Sequence, residues 1–282
     1  MKTLFKNLVN YYWGEIQVWP DIRQLENWIN GLVHFCGYAF ERAGSPPVYS
    51  EAATRLIKEH RNQFSQWKRL TKKREEQLTA AYEGNCKAIK PKLKGFNKDR
   101  NPMYFTEGDK QITLIRFTWT EIKRKSIFLW AKSLVEANRL EDAYNSLVKI
   151  KGVSEKIAPF YLRDIYLKSN RSGSQLEKLN LIQPIDIWTE RAAQELLNNR
   201  KANRSQCANA LLNFEKKIGI KPGESNIAFW VLGAEIFEDE ERFREAVRCI
   251  SNMDKTAFNR TLQKEIKEQL EWIEFLAELN KA

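Results

Sequence analysis

Histidine and cysteine are scarce in this sequence, and neither is clustered. The two histidines, His34 and His60, lie too far apart to share one helical face, which counts against a metal-hydrolase site and a histidine-based triad. The four cysteines, Cys36, Cys86, Cys207 and Cys249, are scattered without close pairing. That spacing argues against a zinc site or a cysteine-held iron–sulfur cluster and fits structural thiols in a reducing compartment. No apolar run approaches the roughly 20 residues needed to span a bilayer. The opening stretch, MKTLFKNLVNYYWGEIQ, lacks a sustained apolar region and a small-residue cleavage site, so it reads as part of the fold rather than as a signal peptide.

Positive charge is what the chain has in excess. Lysine and arginine number 47 against 36 aspartates and glutamates, a net charge of +11. Such an excess suggests a polyanionic partner or a membrane surface. Nine tryptophans lean towards nucleic acid, because aromatic faces stack on exposed bases, although a tryptophan is a core residue by default. A hydrophobic fraction of 43% over 282 residues is ample for a core.

Helical periodicity dominates. Residues 21–43 place Ile22, Leu25, Ile29, Leu32, Val33, Cys36 and Phe40 on one stripe. The pattern breaks at Pro46-Pro47 and restarts near Ser50, a candidate N-cap. Amphipathic stretches follow at 119–138, 139–150, 154–168, 186–200, 203–218, 225–237, 241–251 and 256–280. QITLIRF (111–117) is the only strand-like run, so the expected class is all-α. Residues 84–109 read as a long loop whose Lys87, Lys90, Lys92, Lys94, Lys98 and Arg100 face only Asp99; that loop is either a DNA-backbone contact or a solvated surface. A second interruption covers 169–184. NRLEDAYNSLVKI and ERFREAVRCISNM echo each other, but no copy recurs at a solenoid period.

The stretch IKGVSEKIAPFYLRDI (150–165) reads as a tight turn between two helices. Gly152 supplies a positive φ and Ser154 a cap for the second helix, leaving the amides of 152–156 to face an anion. Lys149, Lys151 and Arg163 stand close enough in sequence to reinforce such a site. Lys156 falls in the first helical turn, where the partial positive charge of the helix N-terminus disfavours a cation. That position suits a nucleophilic amine, which must be neutral to attack.

Gly152-Val153-Ser154 followed by Lys156 resembles the helix-hairpin-helix element of the DNA glycosylase superfamily, in the branch of 8-oxoguanine DNA glycosylase/lyases. LIQPIDIWTERAAQ (181–194) is similar to that family's approach to an aspartate opening a later helix, and places Asp186 there. Ser154 stands where the family's second hairpin glycine lies, and Lys156 and Asp186 are spaced more widely than in most members. The resemblance implies a two-lobed fold with a cleft, a hairpin-bearing lobe over 110–185 and a second lobe of 1–109 with 186–282. It implies that Lys156 attacks the sugar of an extruded nucleotide while Asp186 stabilises the developing charge. Lys149, Lys151, Gly152, Val153, Ser154 and Arg163 would grip DNA phosphates, and Phe160 and Trp188 are candidates for the base pocket. Residues 226–237 would line or support that pocket.

The same resemblance implies a monomer acting on double-stranded DNA that contains a damaged base such as 8-oxoguanine. It implies no metal for chemistry, a hairpin able to hold a monovalent cation, and a cytoplasmic or nucleoid-associated location, nuclear in a eukaryote. Two other readings remain. One is a non-catalytic helix-hairpin-helix DNA-binding protein; the other is a helical interaction scaffold, suggested by the acidic EIFEDEERFREA (235–246).

Overall fold

The computed structural model describes residues 1–17, 19–40, 47–91, 100–169 and 178–279, and only the backbone of residues 65 and 268–279. Among these residues there are helices and turns but no strand, so the fold class is all-α. The helices are α1 (Lys2–Tyr11), α2 (Ile22–Leu25), α3 (Trp28–Phe40), α4 (Val48–Glu59), α5 (Arg61–Gln66), α6 (Lys72–Ile89), α7 (Leu114–Thr120) and α8 (Ile127–Glu136). They continue with α9 (Leu140–Leu147), α10 (Ile157–Lys168), α11 (Ile187–Leu197), α12 (Arg204–Ile218), α13 (Glu224–Val231), α14 (Glu240–Ser251) and α15 (Lys255–Leu279). Among the described residues no helix is long and apolar enough to cross a membrane.

The chain divides into two compact units, a middle unit over Trp19–Pro184 and a terminal unit of Met1–Val18 with Ile185–Ala282. Residues 19–109 therefore pack with the hairpin rather than with the C-terminal helices, contrary to a division near 110. The cause is a shared core: Leu32, Phe35 and Tyr38 of α3, Leu56 of α4 and Tyr82 of α6 are buried with Phe117, Phe128, Tyr161 and Leu162. In the terminal unit α1 packs on α13, and Phe5 lies 5.4 Å from Phe214 and 5.2 Å from Phe229, ring centre to ring centre. The buried Glu215 accepts from the amides of Gly223 and Ser225 and from the Ser225 hydroxyl at 2.8, 3.0 and 2.6 Å, which fixes the turn between α12 and α13.

Several local expectations change. QITLIRF is not a strand: Thr113 caps α7 through a bond from the Arg116 amide (3.0 Å), and Leu114, Ile115 and Phe117 are buried on its inner side. Only Ile112 keeps a strand-like partner, an isolated bridge to Ile150. The stretch 119–138 breaks into two helices because Ser126 starts a new one, its side chain accepting from the Leu129 amide. The fourth helix starts at Val48 rather than Ser50, whose hydroxyl donates back to the Pro47 carbonyl inside the first turn. The sixth runs through Gly84 to Ile89, because burying Tyr82 and Cys86 outweighs the roughly 1 kcal/mol a glycine costs in a helix. Lys92, Lys94, Lys98 and Asp99 of the basic loop, and residues 170–177 of the second interruption, lie outside the described residues.

Candidate functional site

The hairpin is built by burying its apolar residues. Ile150, Val153 and Ile157 are 0–3% exposed in the middle-unit core, which turns the two helices back on each other. Gly152 adopts φ +76°, the left-handed conformation that a side chain would strain. From outside, residue 112 clamps the turn: the Ile112 amide donates to the Lys149 carbonyl (2.9 Å), and the Lys151 amide donates to the Ile112 carbonyl (2.8 Å). Ser154 Oγ accepts from the amides of Lys156 (3.2 Å) and Ile157 (3.4 Å) in the turn that precedes α10. The helix itself begins at Ile157, so Lys156 stands at its N-cap position rather than within its first turn, and Ser154 lies two residues before that. Pro159 is third in that helix, where a backbone N–H has no intrahelical acceptor, so its missing donor costs little.

The anion cradle expected from free amides at 152–156 is not open at two of its positions. The Val153 amide donates to the Ile150 carbonyl (2.9 Å) and the Lys156 amide to Ser154, so both are satisfied within the turn.

The four basic side chains near the hairpin differ sharply. Lys151 points inward, 3% exposed, and its ammonium pairs with Asp109 and donates to Thr106 Oγ1 (3.0 Å). Arg163 is 1% exposed; it pairs with Asp164 at 2.7 Å and its guanidinium lies 4.3 Å over the Phe160 ring. Neither is placed to hold a phosphate: Arg163 is paired with a buried acid, and the buried Lys151 ammonium reaches out to the more exposed Asp109. Lys149 is 57% exposed, with one long contact to Glu121 (3.8 Å). Lys156 is half-buried, and its amine has no hydrogen bond or ion pair with any described residue.

The Arg163–Asp164 pair is the end of a buried chain. Trp19 donates to the Tyr38 hydroxyl (3.1 Å), which donates to Asp164 Oδ2 (2.8 Å). Burial pushes the Asp164 carboxyl up, while the Arg163 guanidinium and the Tyr38 hydroxyl pull it down. Phe160 is wedged against this chain, its ring centre 5.6 Å from that of Tyr38 and its face under Arg163. It packs at the edge of the core and presents no free stacking face on the Arg163 side.

In the terminal unit, Asp186 begins α11 with a reciprocal cap. Its Oδ1 accepts from the amides of Trp188 and Thr189, both at 2.9 Å, and its own amide donates to Thr189 Oγ1 (2.8 Å). Oδ2 accepts nothing among the described residues, so one oxygen is anchored and the other is available. Trp188 is structural. A Cβ on Gly233 would come within 2.4–2.6 Å of its ring; Phe243 meets it at 5.2 Å and Arg191 lies 4.7 Å over it. Asn226, Ile227, Ala228 and Phe229 are buried in the same unit.

Among the described residues, cavities lined from within one unit include two that border neither Lys156 nor Asp186. One, of about 350 Å³, borders Tyr104, Thr106, Asp109, Thr113 and Arg116; the other, of about 250 Å³, borders Gln194, Glu195, Asn199 and Arg248. The first abuts the Lys151 anchor and the second an arginine–glutamate network, so the charges around both are already neutralised.

No family model, curated protein or solved structure matches the chain.

Proposed function

We propose that the chain is a DNA glycosylase with an associated lyase activity, removing an oxidised purine such as 8-oxoguanine from double-stranded DNA. One observation carries this reading: among the cations around the hairpin, Lys156 alone is half-buried with an amine that no described residue neutralises or hydrogen-bonds. A lysine amine that is not held in an ion pair is free to act as a nucleophile. The packing of the N-terminal helix with the helices that follow Asp186 agrees with the same reading.

In the proposed reaction the Lys156 nitrogen forms a bond to C1′ as the C1′–base bond breaks. The base leaves with the bonding electron pair and takes up a proton. Ring opening gives an imine between lysine and sugar; loss of a C2′ proton then expels the 3′ phosphate and cuts the strand. Asp186 would place Oδ2 beside the positive charge that develops on the sugar, while Oδ1 stays fixed by the helix cap. The proposal requires Lys156 and Asp186 to act at one deoxyribose. Lys149 and the exposed Ser154 remain as candidate backbone contacts at the hairpin; Lys151, Arg163, Phe160 and Trp188 are assigned to structure.

A panel of duplexes, each with one damaged base, tests the proposal through strand scission. Scission of an oxidised-purine duplex should be abolished by Lys156→Gln. Asp186→Asn should lower it strongly at unchanged stability, since asparagine caps a helix as well as aspartate. DNA binding without scission of any member would contradict the proposal and favour a non-catalytic hairpin protein.

A further inference from the structure

The positive charge of this protein is confined to one unit. Residues 19–184 hold 30 lysines and arginines against 18 aspartates and glutamates, while the rest of the chain holds 17 against 18. In the terminal unit many arginines are matched: Arg191 with Glu240, Arg242 with Glu265, and Arg244 and Arg248 with Glu195. In the middle unit a cluster has no ion pair with any described residue. Lys123, Arg124 and Lys125, between α7 and α8, are all exposed. Lys68, Arg69 and Lys73, around the start of α6, are exposed as well.

These two basic segments are held together. The Arg124 guanidinium donates to the Trp67 carbonyl (3.2 Å), Arg74 donates to the Arg69 carbonyl, and the Arg74 guanidinium stacks 4.8 Å over Trp67. Trp67 in turn is packed among Phe64 and Trp119, at 5.6 and 6.3 Å between ring centres. The turn itself is strained: Lys123 and Arg124 stand at φ +50° and +59°, a region that disfavours side chains, yet neither is glycine. Two backbone bonds hold it there, from the Arg124 amide to the Thr118 carbonyl (2.7 Å) and from the Lys125 amide to the Ile122 carbonyl (3.0 Å). The cluster adjoins the hairpin, because Glu121, just before the turn, is the acid that Lys149 reaches.

We propose that Lys123, Lys125, Lys68 and Lys73, with Arg69 and Arg124, form a surface that binds the phosphate backbone of duplex DNA and extends the hairpin's contact along one flank of the bound site. Like charges carried on two segments that are bonded to each other repel, and a polyanion relieves that repulsion. The surface has no exposed large apolar residue within either basic segment, which is what insertion into a lipid surface requires. This inference rests on the glycosylase reading only for the choice of DNA as the polyanion, and its test needs no damaged base.

The test is the salt dependence of binding to an undamaged duplex, measured on the full chain. Each lost phosphate contact lowers the slope of log K against log salt by about 0.9. The variant Lys68→Gln/Lys73→Gln/Lys123→Gln/Lys125→Gln should flatten that slope by about 2 or more, with an unchanged melting temperature. The variant Lys201→Gln/Lys216→Gln/Lys221→Gln/Lys255→Gln removes equal charge from exposed sites of the terminal unit and should leave the slope unchanged. Equal slopes for the first variant and the parent, equal effects of the two variants, or tighter binding to phosphatidylserine vesicles than to duplex would each overturn the proposal. Absence of strand scission with retained, patch-dependent binding would instead count against the glycosylase reading alone.

Discussion

Arg163 and Asp164, neighbours in sequence, form an ion pair whose side chains are 1% and 0% exposed. Adjacent residues on a helix do not normally face each other, and this pair meets because both side chains turn into the core beside Tyr38. Removing one partner leaves the other charge buried. Arg163→Ala should lower the unfolding free energy by about 3 to 5 kcal/mol in urea titrations. The double variant Arg163→Met/Asp164→Leu should recover most of that loss, and a double variant as unstable as the single one would show that the pair contributes more than charge neutralisation.

Two lysines two positions apart should behave oppositely. Lys151→Ala removes an ammonium buried against Asp109 and Thr106 and should cost about 2 to 3 kcal/mol of stability. Lys149→Ala removes an exposed side chain with one long contact and should cost under about 0.5 kcal/mol, while weakening DNA binding. Thermal unfolding of the two variants checks this; equal losses would mean that the hairpin is not anchored through Lys151.

His34 makes stability depend on pH. Its ring is packed 4.7 Å from Trp19 and 5.4 Å from Tyr38, neither nitrogen has a hydrogen-bond partner among the described residues, and burial pushes its pKa down to about 4. The unfolded chain takes up this proton near pH 6.5. The folded state therefore keeps its full stability above about pH 6.5 and loses roughly 3 kcal/mol as the pH falls to 4. His34→Phe should remove that part of the slope in urea titrations between pH 7 and 4. An unchanged slope would place the titration elsewhere.

Much of the architecture was legible in the sequence, and the reasons are local. The cap at Asp186 and the turn at Ser154 rest on side chains that reach amides two or three residues ahead, and the glycine turn rests on one residue's φ. The helices from 139 onward follow their apolar spacing closely. What the sequence did not reveal depends on remote partners. Nothing near Lys151 announces Asp109, which is brought in by the clamp between Ile112 and Lys149. Arg163 reads as a surface cation until Tyr38, far away in sequence, closes over its partner. QITLIRF alternates like a strand, but Thr113 caps a helix and the core takes up Leu114, Ile115 and Phe117. The Lys123–Lys125 turn is hidden in the sequence because periodicity runs on through it, and only the backbone shows the break.

The central claim is that the amine at position 156 becomes covalently joined to the sugar of a damaged nucleotide. Borohydride reduction of the protein with an 8-oxoguanine duplex, followed by peptide mapping of the adduct, tests it directly. The account predicts a trapped complex whose modified residue is Lys156 and which Lys156→Gln abolishes. No trapped complex with any lesion duplex, or one attached to a different lysine, would contradict it.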